Sequence, residues 1–295
     1  MKTRGSERQN PFNKLALTLV GLSFAIVQSQ AASYEWTFNS GDLSASLGSG
    51  IMSYAGASAG LTTFGTTGGG VPNIGGNPAN YMHVPAFTSA ANGYKLELTG
   101  TGPNGGGSYV NNYTILFDIY IPTPWPMDYM VPFFNTNPDN GNDADFYLYG
   151  DGEIGIGGGG YSAPGTLAPN TWYRLAFVAN CSAGTLSYYV NGTNVKTRGG
   201  VTLDDGTFAL YSNLDPGADL LLFNEPTGLY THELYLNSVA FVDHAMTGSE
   251  LSTLGGPNAI GILAVPEPTT ISIVLLGLLA GGAIRKRSQP SRVEV

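Results

Sequence analysis

The densest group of possible metal ligands is the run Asp-Asn-Gly-Asn-Asp-Ala-Asp at residues 139–145. Carboxylate and amide oxygens are the ligands that Ca²⁺ prefers, and a loop rich in turn residues has the flexibility that calcium coordination needs. Asp and Asn also form turns without a metal, so turn formation alone is the alternative interpretation. The predicted calcium ligands are Asp143 and Asp145.

Two aromatic residues, Trp125 and Tyr129, form a second candidate site in a proline-containing segment. An exposed aromatic ring in such a loop could stack on a sugar ring, which makes carbohydrate the predicted ligand. Large aromatic residues are more often buried, so a hydrophobic plug beneath the proline-containing turn is the competing interpretation. Trp125 and Tyr129 are the predicted ligand-binding residues.

The sequence contains no recognisable catalytic motif. Sandwich-type glucanases place three carboxylates at alternate positions of one strand, so that all three share a face and flank the glycosidic bond. No Glu-x-Asp-x-Glu or Glu-x-Asp-x-x-Glu pattern occurs, and the histidines are scattered at His83, His232 and His244. We therefore expect a protein without catalytic activity. A glycan hydrolase of this class and a purely structural component are the alternatives.

The composition indicates that strands and turns position these residues. The chain has 42 Gly, 18 Pro and 17 Tyr, and only 11% of its residues are charged. Glycine and proline favour turns and tyrosine favours strands, whereas exposed helices are rich in charged residues. The composition therefore predicts an all-β fold.

The folded region is acidic. Between Ser33 and Ala264 there are four basic and 18 acidic residues, a net charge of −14. We expect no nucleic-acid partner, because neutralising phosphates needs a basic face. The single cysteine, Cys181, cannot form an intramolecular disulfide, and we expect it to be buried and inert.

The first 32 residues have the three parts of a secretory signal peptide. Four basic residues precede an apolar run at residues 15–27, and Ser29-Gln30-Ala31 supplies the small residues that a signal peptidase recognises. The apolar run is too short to span a membrane comfortably. We predict export by the general secretion machinery, with cleavage near Ala31 or Ala32.

The C-terminal end contains a second three-part pattern. An apolar run at residues 269–284 lies between a proline motif and a basic cluster, which consist of Pro266, Glu267 and Pro268 and of Arg285, Lys286 and Arg287. As a helix, the 16-residue run would be about 24 Å long, slightly less than the hydrocarbon thickness of a bilayer. We predict a transmembrane helix within residues 265–288, with its basic flank and the tail at 289–295 in the cytoplasm.

This C-terminal pattern resembles the PEP-CTERM sorting signal of Gram-negative bacteria. The resemblance implies recognition by an exosortase, a transient anchor in the inner membrane, and final localisation at the cell surface or in the extracellular matrix. Proteins with this signal accompany exopolysaccharide production. Exopolysaccharide or another surface protein is therefore the expected partner.

Between the two signals, short strand-like runs alternate with turn residues. Runs at 113–120, 172–179 and 207–211 are examples, whereas the Gly-, Ser- and Ala-rich stretch 44–80 predicts long loops. Asn191-Gly192 between two extended runs predicts a hairpin. Thr247-Gly248-Ser249-Glu250 predicts a helix start, because it forms a capping box.

The run Asn170 to Phe177, the Asn191-Gly192 hairpin and the strand Leu234 to Val242 occur in the order found in laminin G-like domains. These domains belong to the concanavalin A-like lectin and glucanase class. The resemblance implies a two-sheet antiparallel jelly-roll sandwich at residues 33–264, and a face that binds glycans or proteins. We expect more than ten strands, with Trp172 inside the domain.

Overall fold

A computed structural model describes residues 33–124, 130–136, 146–157, 160–210, 220–224 and 231–263. These residues contain fifteen strands in two antiparallel sheets, and one α-helix. The predicted all-β, two-sheet sandwich is confirmed. The predicted signal peptide and the predicted membrane segment lie outside the described residues. Within them, no helix is long and apolar enough to cross a membrane.

The larger sheet has eight strands, in the order β13-β12-β11-β6-β15-β4-β3, with β1 also paired to β15. Their bounds are β1 Ser33–Trp36, β3 Thr63–Thr66, β4 Asn80–Val84, β6 Asn112–Tyr120, β11 Trp172–Asn180, β12 Thr185–Val190, β13 Thr193–Gly199 and β15 Leu234–Val242. β1 and β4 therefore lie on the same side of β15 and share its length between them.

The smaller sheet has seven strands, in the order β10-β9-β8-β7-β14-β5-β2. Their bounds are β2 Ile51–Ala55, β5 Gly93–Glu97, β7 Val131–Asn135, β8 Phe146–Tyr149, β9 Glu153–Ile156, β10 Gly160–Tyr161 and β14 Leu220–Leu222. The helix, α1, spans Gly248–Leu254.

The strand and turn predictions are largely correct. β12 and β13 are joined by Asn191 and Gly192, both with positive φ, as a two-residue hairpin of this type requires. The Thr247–Glu250 capping box is present. Two predictions are wrong: the stretch 44–80 contains β2 and β3, and residues 207–210 form a turn that ends in a single bridge from Leu210 to Val110.

Aromatic side chains fill the space between the sheets. Phe134 of the smaller sheet meets Phe177 of the larger sheet edge to face, with ring centroids 4.9 Å apart. The Phe146 ring lies 5.4 Å from the Tyr188 ring across the sandwich, with the two ring planes tilted by 31°. All four residues are fully buried. Perpendicular and tilted ring pairs of this kind stabilise a core beyond the area that they bury.

The outer face of the larger sheet is also covered. Leu116, Ala176 and Ala240 pack there against Leu251 of α1 and Ile262. Further along, the loop 67–79 covers a separate buried cluster that contains Tyr120 and Trp172. Because both faces are covered, the central strands have apolar residues at successive positions instead of strict alternation.

Residues 255–263, which we call the C-terminal strap, are held to this outer face by a buried ion pair. Asp118 of β6 and Arg174 of β11 are direct neighbours in the strand register and form a bidentate pair, with both N–O distances 2.7 Å. Arg174 also donates to the carbonyl of Gly261, and Asn258 N–H donates to Asp118. The pair therefore joins two strands and the strap.

A third charged residue fixes the end of the strap. Glu35 of β1 is buried and accepts hydrogen bonds from the backbone N–H groups of Ile262 and Leu263. Burial raises the pKa of Glu35, and the two backbone hydrogen bonds partly oppose that shift. The strap thus ends on a carboxyl group that holds its proton more tightly than it would in water.

We expect Arg174→Met to lower the free energy of unfolding by about 3–5 kcal/mol, because it leaves Asp118 buried without its counter-ion. The double variant Asp118→Leu/Arg174→Met should recover part of this loss, since no buried charge remains. Urea denaturation of the purified protein measures both effects. A single variant within about 1 kcal/mol of the wild type would contradict a buried pair and would fit an exposed one.

Glu35→Gln should remove one component of the pH dependence of stability. The raised pKa means that the folded state binds the Glu35 proton more tightly, so stability falls as pH rises above the ordinary value of 4.5. Glutamine keeps the acceptor oxygen and carries no charge. The stability of the variant relative to the wild type should therefore increase between pH 4 and pH 7 in thermal melts. A difference that stays constant with pH would refute this.

Candidate functional site

The residues that the sequence predicts as a site fall outside the described part of the chain. This applies to the aromatic pair Trp125 and Tyr129 and to the calcium ligands Asp143 and Asp145. Among the described residues, no group of three or more His, Cys, Asp and Glu side chains is arranged to hold a metal ion. The aromatic and calcium predictions stay predictions.

The structure instead brings together four residues on the outer face of the larger sheet. We call Tyr81, His83, Glu233 and Tyr235 the aromatic patch. On β4, Met82 lies in the core, so Tyr81 and His83 on either side of it point outward. The same alternation on β15 directs Tyr235 outward, in register with His83. All four residues are half-buried.

The rings of the aromatic patch form a fixed arrangement around Tyr235. Tyr81 meets Tyr235 edge to face at 5.1 Å, with the two ring planes at 90°. The His83 ring, on the same strand as Tyr81, lies 4.9 Å from the Tyr235 ring. Because the rings are already held in place, a ligand can contact both a ring face and a ring edge without ordering these side chains.

A carboxylate is oriented beside these rings. The Glu233 Oε1 atom accepts a hydrogen bond from the Tyr235 hydroxyl at 2.8 Å and lies 2.9 Å from His83 Nε2. The side chain of Glu233 is 46% exposed and that of His83 is 22% exposed. Glu233 is thus held by two neighbours and still faces solvent.

Tyr235 keeps its proton throughout the neutral range. Burial, which is the largest cause, together with the hydrogen bond to Glu233 and the Glu233 charge raises the pKa of Tyr235 to about 12. The hydroxyl therefore remains a donor to Glu233 at any physiological pH. This bond fixes the position of the carboxylate relative to the rings.

The aromatic patch rests on buried aromatic residues. Tyr120 lies 5.9 Å from Tyr235 and 5.6 Å from Trp172. Trp172 Nε1 donates to the carbonyl of Pro72 at 2.7 Å, which ties the covering loop 67–79 to β11. Trp172 is inside the domain as predicted, although it packs in this outer cluster and not between the sheets. The patch therefore has a rigid base.

Sequence reasoning missed the aromatic patch because its halves are far apart in the chain. His83 and Glu233 are separated by 150 residues, and the histidines looked scattered. The available signal was the alternation of Tyr81 with His83 and of Glu233 with Tyr235, which places each pair on one face of a strand. Nothing local indicates that β4 pairs with β15.

Comparison with protein families identifies the C-terminal end. A family model described as the PEP-CTERM protein-sorting motif matches residues 264–288. The chain carries a PEP-CTERM sorting signal. The protein is therefore exported, processed at the membrane by an exosortase and sorted to the cell surface. The match includes the proline motif at 266–268 and the basic cluster at 285–287, as the sequence predicted.

Comparison with curated proteins finds no match. Among solved structures, domain 4 of AbnA, a GH43 extracellular arabinanase from Geobacillus stearothermophilus, is 16% identical, with a TM-score of 0.47. The alignment covers 77% of this chain and 99% of that one. The botulinum neurotoxin serotype G binding domain is 13% identical, with a TM-score of 0.49, over 76% of this chain and 50% of that one. Similarity at this level gives no information about a ligand.

Replacing Arg285-Lys286-Arg287 with three glutamates should impair sorting and leave the fold intact. Basic residues keep their flank of a membrane segment in the cytoplasm, and acidic residues do not. Fractionation of the host and mass spectrometry of the surface protein measure the effect, with Arg292→Glu as the control. We expect the mature wild-type protein to end by residue 268. Recovery of mature peptides containing residues 288–292 would show that the tail is retained.

Proposed function

We propose that the protein is a non-catalytic surface protein whose sandwich domain binds carbohydrate through the aromatic patch. The observation that carries this proposal is the pair of perpendicular, half-exposed tyrosine rings beside an oriented carboxylate. Binding sites for small polar molecules typically combine aromatic surface with a few well-placed polar groups. The aromatic patch has both.

The chemistry of the aromatic patch matches that of a sugar. A sugar ring has an apolar C–H face, which can pack on Tyr81 or Tyr235, and hydroxyl groups at its edge. A carboxylate has about four acceptor sites, and the contacts of Glu233 with Tyr235 and His83 both use Oε1. Its exposed side chain therefore has acceptor capacity for ligand hydroxyls.

Hydrolysis and a purely structural role are the alternatives. Glycoside hydrolysis needs two carboxyl groups, about 5 to 10 Å apart, on either side of the scissile bond. The aromatic patch contributes one, Glu233, which is already hydrogen-bonded to a tyrosine. A purely structural role would not require half-exposed rings to be held at fixed angles. Binding is therefore the function that this geometry supports best.

The sorting signal and the laminin G-like resemblance suggest the setting of this binding. We propose that the natural partner is an exopolysaccharide at the surface of a Gram-negative cell. The sequence-predicted pair Trp125 and Tyr129 is a proposed extension of the site, because His232 Nε2 lies 2.7 Å from the carbonyl oxygen of Pro124, the residue before Trp125. His232 directly precedes Glu233 in the chain.

We expect Tyr235→Ala to weaken glycan binding at least tenfold, which corresponds to about 1.4 kcal/mol. Tyr235→Phe should have a smaller effect, because it keeps the ring and removes only the hydroxyl that orients Glu233. Tyr149→Ala is the matched control, since Tyr149 is a 40%-exposed tyrosine of the smaller sheet. A glycan array and calorimetry measure binding. The proposal would be refuted if Tyr149→Ala and Tyr235→Ala lost the same amount of glycan affinity, or if the wild type bound no glycan.

A further inference from the structure

The C-terminal strap ends directly before the sorting signal. Leu263 is the last residue of the strap, and the matched signal covers residues 264–288. Glu35 Oε1 accepts hydrogen bonds from the backbone N–H groups of Ile262 and Leu263, and Ile262 is buried on the outer face of the larger sheet. The sorting signal therefore begins next to a point at which the chain is fixed to the sandwich.

Three strands hold the strap in this docked position. Glu35 lies on β1, Asp118 on β6 and Arg174 on β11. Asn258 N–H donates to Asp118 at 3.2 Å, and Arg174 donates to the carbonyl of Gly261 at 3.3 Å. These strands come from distant parts of the chain, so the complete set of docking contacts forms only on an assembled sheet. Docking is thus a property of the folded domain.

Gly261 allows the strap to approach β1 closely. Its φ is 116°, in the region that favours glycine. A Cβ atom at this position would lie 2.6 Å from Glu35 Oε1 and 2.9 Å from Thr37 Cγ2. A side chain at 261 would therefore push the strap away from the carboxylate that binds Ile262 and Leu263.

Docking limits how far the sorting motif can extend from the sandwich. Pro266 is three residues beyond Leu263, so the two Cα atoms are at most about 11 Å apart. Release of the strap would free the nine residues 255–263. At 3.6 Å per residue, these residues would add up to about 32 Å to the reach of the motif.

Docking also occupies backbone groups directly before the motif. A backbone N–H group is a single donor, so the Ile262 and Leu263 N–H groups cannot bond fully to Glu35 and to an enzyme at the same time. Extended peptides are commonly recognised through main-chain hydrogen bonds of this kind. Binding of this segment by an exosortase therefore competes with docking of the strap.

We infer that the docked strap is an autoinhibitory contact, which must release from the sheet before the exosortase processes the sorting signal. The structure shows the docked state, so the undocked state is the minor one. The rate of processing should then be proportional to the population of the undocked state. This inference concerns processing and does not depend on carbohydrate binding at the aromatic patch.

Pulse–chase measurement of processing in the native host tests the inference with two changes. Gly261→Ala should raise the undocked population and speed processing about tenfold, because the rate follows the population of the competent state. Insertion of nine Gly and Ser residues between residues 263 and 264 should speed processing at least as much. The insertion leaves the docked contacts in place and supplies the reach of a released strap.

Gly256→Ala is the matched control. Gly256 also lies in the strap, but its φ is not in the left-handed region, and a Cβ atom there would make an ordinary contact 3.6 Å from Asn191. Processing of this variant should match that of the wild type. A tenfold acceleration by Gly256→Ala would overturn the role of the Glu35 contact.

Combining the two changes gives the sharpest result. In the protein that carries the insertion, Gly261→Ala should have no further effect, because the motif is already within reach. Equal acceleration by Gly261→Ala with and without the insertion would overturn the inference, since the substitution would then act by another route. Unchanged or slower processing of the protein with the insertion alone would also overturn it.

Hydrogen exchange checks that Gly261→Ala acts on the strap. In unprocessed protein from cells without the exosortase, the Ile262 and Leu263 amides should exchange faster in Gly261→Ala than in the wild type. The amides of β6 and β11 should stay protected in both proteins. If Gly261→Ala does not fold, the processing rate of the protein with the insertion alone decides the question.

Discussion

The buried ion pair between Asp118 and Arg174 is the constraint on which the outer face of the larger sheet depends. Two ionised side chains are stable in an apolar layer only when their geometry is good and their remaining polar atoms are satisfied. Here the guanidinium group also donates to the Leu254 and Gly261 carbonyls. The end of α1 and the strap thus complete the coordination of the pair, and the pair in turn holds both on the sheet.

The candidate site lies at the boundary between the two groups of segments that cover the outer face of the larger sheet. α1 and the strap cover one part of the outer face, and the loop 67–79 covers another, over Tyr120 and Trp172. The side chains of Tyr81 and Tyr235 pack against the second cluster and remain half-exposed. The rigidity of the aromatic patch therefore comes from the buried layer beneath it, and its accessibility comes from incomplete cover.

The strap directly precedes the sorting signal in the chain. Glu35 holds Ile262 and Leu263, and the matched signal begins at residue 264. Two residues lie between Ile260 of the strap and Leu263, so their Cα atoms are at most about 11 Å apart. The described part of the sandwich therefore ends on the outer face of the larger sheet, where Glu35 holds the strap.

The sequence by itself determined the features that depend on neighbouring residues. Asn191-Gly192 specifies its hairpin because both residues tolerate positive φ, Thr247 and Glu250 cap a helix from three residues apart, and the sorting signal is a contiguous pattern. The tertiary structure alone decided that His83 meets Glu233 and that Arg174 reaches the strap. It also decided that the glycine-rich stretch 44–80 contributes strands, because a weak strand former is stabilised by the partner with which it pairs. Such contacts join residues far apart in the chain. Their energy depends on burial, which the tertiary structure sets and a local sequence pattern does not show.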